Sequence, residues 1–244
     1  MNTNTGNQTV GDLVTERPAV RPALERYGID YCCGGDRPLA EAAAAAGVDL
    51  RELCAAMDAA EADAPEGGRD WSQATLTELV AHIEGAHHAF LREAFPRIEA
   101  LFTAVLAAHQ ARHGKVLRPL REVFGSLRTE IEQHLEREES LLFPYVRRLE
   151  EYVRGGGRQP AVGSERIRNP VRVMRLEHDD AGQALSEMRG LTDGYRLPED
   201  ACRSFRALYD ALQELERDLH EHIHLENNIL FRKAVALDIA CWGV

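Results

Sequence analysis

The chain has 244 residues, enough for one large or two small domains, and 44% of them are apolar or aromatic, which suffices for a packed core. Its 40 acidic residues outnumber 29 basic ones, and the net charge of -11 argues against nucleic acid or an anionic membrane as a principal partner. No apolar run approaches the ~20 residues of a membrane span. The Asn- and Thr-rich start lacks the basic and apolar regions of a signal peptide, and five irregularly spaced cysteines make no disulfide framework, so a cytoplasmic protein is expected.

Residues 1–11 read as a disordered tail. Residues 12–62 read as a small domain of three or four short helices, interrupted at Pro18, Pro22, Gly34-Gly35 and Gly47. A linker follows at 63–72, carrying Pro65 and Gly67-Gly68. From 73 to 238 the pattern changes to four long helices. They run over about 75–109 with a kink at Pro96, about 117–153 with a kink at Pro144, about 170–192 entered through Asn169-Pro170, and about 198–237. The longest loop of this half is 155–164, and strand-type alternation is absent. The expected fold class is all-α, a small N-terminal helical domain followed by an antiparallel four-helix bundle.

One pattern occurs twice. His134-Leu135-Glu136-Arg137-Glu138 is followed by Leu142-Phe143, and His222-Ile223-His224-Leu225-Glu226 by Leu230-Phe231. Positions i and i+4 share a helix face, so each stretch aims an imidazole and a carboxylate at one point. Both pairs interrupt apolar stripes: Leu120, Phe124, Leu127 and Ile131 lead to His134 and Glu138, and Leu208, Leu212, Leu215 and Leu219 lead to His222 and Glu226. A His and a Glu buried there need a partner, because unpaired burial costs several kcal/mol. His178 continues the stripe Val171, Met174, Ala181 and Leu185, while on the first helix His87 and His88 both border apolar stripes and periodicity slightly prefers His87. His220 and His224 sit ~160° from His222 on a helical wheel and are expected in solvent. His109 is ~30 Å along the helix from His88, so neither it nor His113 is expected at the same site. Four imidazoles, one per helix, with two carboxylates exceed what one tetrahedral zinc takes; they suit two octahedral ions, iron or manganese. The order His-x-x-x-Glu is the reverse of the Glu-x-x-His of ferritin-like bundles, and one residue longer.

With Ile29-Asp30-Tyr31-Cys32-Cys33-Gly34-Gly35 near the start, His87-His88, the stretch from His134 to Pro144, Glu177-His178-Asp179 with Ala181-Gly182, and the stretch from His222 to Phe231, nearly the whole chain resembles the repair-of-iron-centres family, the iron-sulfur cluster repair di-iron proteins. The resemblance implies a hemerythrin-like bundle at 73–238 and a small N-terminal domain at 12–62 carrying the Tyr-Cys-Cys-Gly-Gly motif. It implies two non-heme iron ions per chain, oxo- and carboxylate-bridged, on His88, His134, Glu138, His178, His222 and Glu226, with Glu138 and Glu226 as bridges. The family's first ligand matches the second of the two adjacent histidines, hence His88. Where some relatives carry Leu-Phe-Pro, this chain carries Leu230-Phe231-Arg232, outside the ligands.

Cys32 and Cys33 are a candidate redox or relay thiol pair, displayed by a glycine-freed turn. Glu177 is a candidate support for a ligand or a proton donor; Cys54, Cys202 and Cys241 read as structural. The implied function is repair of iron-sulfur clusters damaged by nitrosative or oxidative stress, by donation of iron to damaged iron-sulfur proteins. The alternatives are a nitric oxide reductase forming nitrous oxide, with Glu177 supplying protons, and reversible oxygen or nitric oxide binding or sensing. A homodimer is expected from the family.

Overall fold

A computed structural model of the chain describes residues 5–64, 69–155 and 167–242. Residues 1–4 of the expected tail, 65–68 of the expected linker and 156–166, which include most of the expected long loop, lie outside the described residues. The regular secondary structure of the described residues is helical, with a lone antiparallel bridge among them between Thr9 and Pro38. Among them, no helix is long and apolar enough to cross a membrane. The chain forms two compact units: one comprises the described residues up to Leu79 together with those from Glu221 onward, the other is Val80–His220.

In the first unit α1 (Val10–Glu16), α2 (Arg21–Arg26), α3 (Leu39–Ala45) and α4 (Leu50–Ala62) surround a core of Val10, Leu13, Val14, Leu24, Leu39, Leu53 and Met57. Local rules set the ends of these helices. The hydroxyl of Thr9 accepts from Asp12 N, and the Asp49 carboxylate accepts from Arg51 N and Glu52 N. Gly28 and Gly47, at φ 67° and 69°, terminate α2 and α3 in the left-handed region that favours glycine. Residues 5–11, read from the sequence as tail, are ordered: Thr5–Asn7 is a 3-10 turn, and Val10 and Gly11 are buried. Local composition there is polar, but Val10 and Gly11 fold against the rest of the unit, which composition does not report.

The same unit holds the end of the chain. After His222 a π-helical turn, Leu225–Leu230, leads into a helix over Phe231–Trp242. Arg232 donates to Asp12 Oδ1 and Asp36 Oδ1, both at 2.5 Å, so the residue standing where some relatives have Pro ties two parts of the small domain. Lys233 Nζ donates to the carbonyls of Ser72 (2.8 Å) and Ala74 (2.6 Å).

The second unit contains the end of α5 (Leu76–His82), a π-helical turn over Ile83–His88, α6 (Ala89–Arg137), a second π-helical turn over Glu138–Leu142, α7 (Phe143–Val153), α8 (Arg168–Leu191) and α9 (Arg203–His224) as far as His220. A straight α6 of 49 residues would be ~74 Å long. Instead His88 and Glu139, which flank it, touch at 2.7 Å, Phe102 meets Phe124 and Arg121 holds Glu99. The run therefore doubles back around His109 and His113 and forms the two antiparallel arms expected from the sequence, joined by a helical turn. Phe124, Ile131, Val171, Leu185, Leu212 and Leu219, on the stripes read from periodicity, are buried in this unit, as are Phe95, Phe102 and Phe205.

Candidate metal centre

The second unit brings His88, His134, Glu138 and His178 together, each at most 2% exposed. Glu138 lies at the start of a π-helical turn on the HxxxE stretch, and its two carboxylate oxygens face different imidazoles. Oε2 is 3.4 Å from His88 Nε2, and Oε1 is 3.4 Å from His134 Nε2. A charge-assisted hydrogen bond would close to ~2.7–2.9 Å. A 3.4 Å spacing instead resembles two ligands about one ion with bonds of ~2.1 Å. His178 Nε2 is 3.1 Å from His134 Nε2, so these rings also converge. One donor atom from each of His134, Glu138 and His178 lies within 4.8 Å of the others, and Glu138 stands in the same relation to His88. Two adjoining ligand groups thus share one carboxylate.

Outer carboxylates set the tautomers. His88 Nδ1 is 2.7 Å from Glu139 Oε1, and His134 Nδ1 is 2.8 Å from Glu177 Oε2. Partial burial pushes Glu139 up, but Arg92 and His88 outweigh it and hold it below the usual carboxylate range. Partial burial likewise pushes Glu177 up, but His134 and Arg137 outweigh it and hold Glu177 below the usual carboxylate range. Both carboxylates are ionised and can only accept, so each ring donates from Nδ1, and its other nitrogen, Nε2, faces Glu138. His88 also stacks on Phe143 (5.6 Å, 21°), which fixes its plane.

The adjacent His87 points elsewhere: its Nδ1 is 2.9 Å from Asp218 Oδ1. Both histidines are buried because they close the π-helical turn Ile83–His88, whose extra residue breaks the phase on which an uninterrupted helical wheel relies. The three π-helical turns among the described residues coincide with histidine- or glutamate-bearing stretches: His87 and His88, Glu138, and Glu226.

In the first unit His222 and Glu226 are 2% and 0% exposed, with Nε2 to Oε1 at 3.1 Å. The next two residues key the stretch to the Tyr-Cys-Cys-Gly-Gly turn. Asn227 Nδ2 donates to the carbonyl of Cys32 (3.2 Å) and Asn228 Nδ2 to that of Tyr31 (3.0 Å). A Cβ on Gly35 or Gly11 would stand 2.6 or 2.5 Å from Asn228 Oδ1, so both glycines are required by close approach. His224, expected in solvent, is buried: it meets Tyr31 edge-on at 5.7 Å and Asn228 Nδ2 at 3.0 Å. Burial pulls its pKa down to about 3, so it is neutral. The helical wheel of one helix cannot show a cover supplied by Tyr31, far away in the chain.

Cys32 is buried and Cys33 partly exposed, with sulfurs 3.8 Å apart and no disulfide between them. The Asp30 carboxylate accepts from the N–H groups of Cys32, Cys33 and Gly34 at 2.9–3.0 Å and so shapes the turn. The Cys33 sulfur, burial and Asp30 all push the Cys32 thiol well up, so it stays protonated. Of the other cysteines, Cys54 and Cys241 are partly exposed, whereas Cys202 is exposed at the entrance to α9.

Comparison with known proteins gives two matches along the chain. A hemerythrin HHE cation binding domain matches residues 79–234, and ScdA_N, described as a domain of unknown function, matches residues 6–61. The chain is similar over 94% of its length to iron-sulfur cluster repair proteins named YtfE. That of Edwardsiella ictaluri is 36% identical, that of Salmonella schwarzengrund 35% and that of Pectobacterium atrosepticum 34%, with 97% of each relative covered.

Proposed function

The chain belongs to the hemerythrin HHE cation-binding family, and from that premise we propose that it is a di-iron protein that repairs damaged iron-sulfur clusters. The observation that carries this reading is the buried Glu138 carboxylate, with one oxygen toward each of two imidazoles. In this reading His88, His134, Glu138, His178, His222 and Glu226 would hold two iron ions, and Glu138 and Glu226 would be the carboxylates common to both. All six fall inside the stretch that matches the cation-binding domain. Four imidazoles and two carboxylates are a donor set suited to iron. Bound there, iron supplies a redox-variable and exchangeable pool of the metal that damaged clusters lack.

The chain's own residues account for how such iron is kept. Glu139 and Glu177 hold His88 and His134 by Nδ1, so that Nε2 is the nitrogen turned toward Glu138 and the one that would ligate. Glu138, fully buried, joins the two positions, and the near-complete burial of the histidines excludes bulk water. The cargo is iron, passed to damaged iron-sulfur proteins in the cytoplasm. The coupling of nitric oxide to nitrous oxide is less well supported: Glu177, the acid invoked for it, is held ionised by His134 and Arg137 and has no proton to give.

The test is anaerobic. The iron-loaded protein is mixed with a hydratase whose cluster has been damaged by nitric oxide, and recovery of hydratase activity is followed. Recovery with the intact protein, absent with Glu138→Ala/Glu226→Ala, is the expected result. Recovery that is equal with both proteins, or absent with both, overturns the reading.

A further inference from the structure

The Val80–His220 unit supports the two oxygens of Glu138 unequally. On the His134 side it brings two imidazoles, His134 and His178, together with the carboxylate; on the other side it brings His88. The outer carboxylates differ as well. Glu177 divides its oxygens: Oε2 meets His134 Nδ1 at 2.8 Å, and Oε1 meets Arg137 Nη2 at 2.7 Å. Glu139 does not: its Oε1 accepts from both His88 Nδ1 at 2.7 Å and Arg92 Nη2 at 2.6 Å, and Arg92 also reaches Oε2 at 2.7 Å. His88 thus shares its partner atom with a guanidinium that is 55% exposed, whereas Arg137 engages the Glu177 oxygen that His134 leaves. Arg92 and Glu139 also line a cleft of about 290 Å³, together with the buried Phe95 and Leu135 and with Glu132 and Glu136. The six waters of a hydrated divalent ion occupy ~180 Å³ at ~30 Å³ each, so such an ion fits there.

We propose, on the premise of the di-iron centre, that the iron at His88 is the exchangeable one, that it leaves by this cleft, and that Arg92 sets how readily it goes. Arg92 acts as a positioning residue. It competes with His88 for Glu139 Oε1, which weakens the support that the carboxylate lends the imidazole. It also keeps Glu139 hydrogen-bonded when Nδ1 is released, so letting go of His88 strands no carboxylate. The iron at His134 has no such release: two imidazoles of the same unit hold it, and Glu177 supports His134 through an oxygen other than the one that Arg137 engages. Three carboxylates against one guanidinium give the cleft a lining that passes a cation.

The experiment mixes the diferrous full chain anaerobically with bipyridine and follows iron release by absorbance. The expected result is two phases of about one iron per chain each, at least ~10-fold apart in rate. Arg92→Leu should slow the fast phase ~3–10-fold and leave the slow phase unchanged, and Arg92→Lys, which keeps the cation, should stay within ~2-fold of the wild type. The sign is informative, because a merely loosened site would release iron faster. Glu177→Gln should speed the slow phase alone. Glu136→Lys, an exposed position in the cleft, should slow the fast phase at low ionic strength and lose that effect at ~1 M salt. Release of both irons at one rate would overturn the inference and leave the two-iron site standing. So would a faster fast phase in Arg92→Leu, or a response to Arg92→Leu in the slow phase alone. A chain that takes up no iron would overturn the premise itself. Iron content before mixing and far-ultraviolet dichroism, matched between variants, show that the comparison is between folded proteins.

Discussion

The two His-x-x-x-Glu stretches carry the same donor types at the same spacing, yet they are supported differently. In His134–Glu138 the imidazole is oriented by a carboxylate on another helix, Glu177, and Glu138 divides its oxygens between two histidines. In His222–Glu226 the histidine faces its own glutamate, and the residues that follow, Asn227 and Asn228, bond the backbone of the Tyr-Cys-Cys-Gly-Gly turn. One copy is built into an electrostatic network; the other is read by a small domain through shape and main-chain hydrogen bonds. A repeated motif thus specifies donors, while its surroundings specify what each copy is coupled to.

The largest expected effect separates donors from surroundings. Glu138→Ala should cost most of the bound iron and all repair, because one carboxylate serves two positions; metal analysis of the purified variant checks this. Iron content near that of the wild type would show that Glu138 does not join the groups.

Next comes the small-domain contact. Gly35→Ala sets a Cβ 2.6 Å from Asn228 Oδ1 and 2.8 Å from the Tyr31 carbonyl, and should destabilise by about 1–3 kcal/mol. In a double-mutant cycle, adding Asn228→Ala should restore part of the loss by removing the nearer obstacle. Strict additivity in thermal melts would mean that the two residues do not meet.

Glu177→Ala and Glu139→Ala leave every donor in place but release a ring. Each should weaken iron retention by ~10–100-fold in competition with a chelator, while Asn228→Ala changes retention less. The reverse ranking would dissolve the contrast between the two stretches.

The smallest effect is a control away from both. Arg17 holds Glu61 (2.6 Å) and Asp58 (2.9 Å), and the Arg17 hydrogen bond lowers the Glu61 pKa. A depressed carboxylate stabilises above its unfolded pKa of ~4.3, and that contribution is lost as pH falls through the folded value. Since the groups are partly exposed, Arg17→Ala should cost about 1 kcal/mol or less near neutral pH. The difference from wild type should shrink below pH ~4, with iron content unchanged.

What the sequence determined by itself was whatever depends on neighbours a few residues away. Helical period placed His134 with Glu138 and His222 with Glu226 on apolar stripes, because i, i+4 geometry is local and the hydrophobic pattern repeats it. The all-α class, the two antiparallel arms of 75–153 and the donor types at the centre follow from the same period. The tertiary structure decided what depends on phase breaks and distant partners. The π-helical turn Ile83–His88 directs His88 toward Glu138 and His87 toward Asp218, a choice that a regular helical wheel made slightly the other way. Glu139 was legible only as the neighbour of Glu138, since its partner His88 is 51 residues away. The cover over His224, and the meeting of His109 and His113 with Asp200, join segments far apart in the chain. Such contacts are selected by the packing of whole helices, a free-energy minimum over the entire fold that no short window of residues contains.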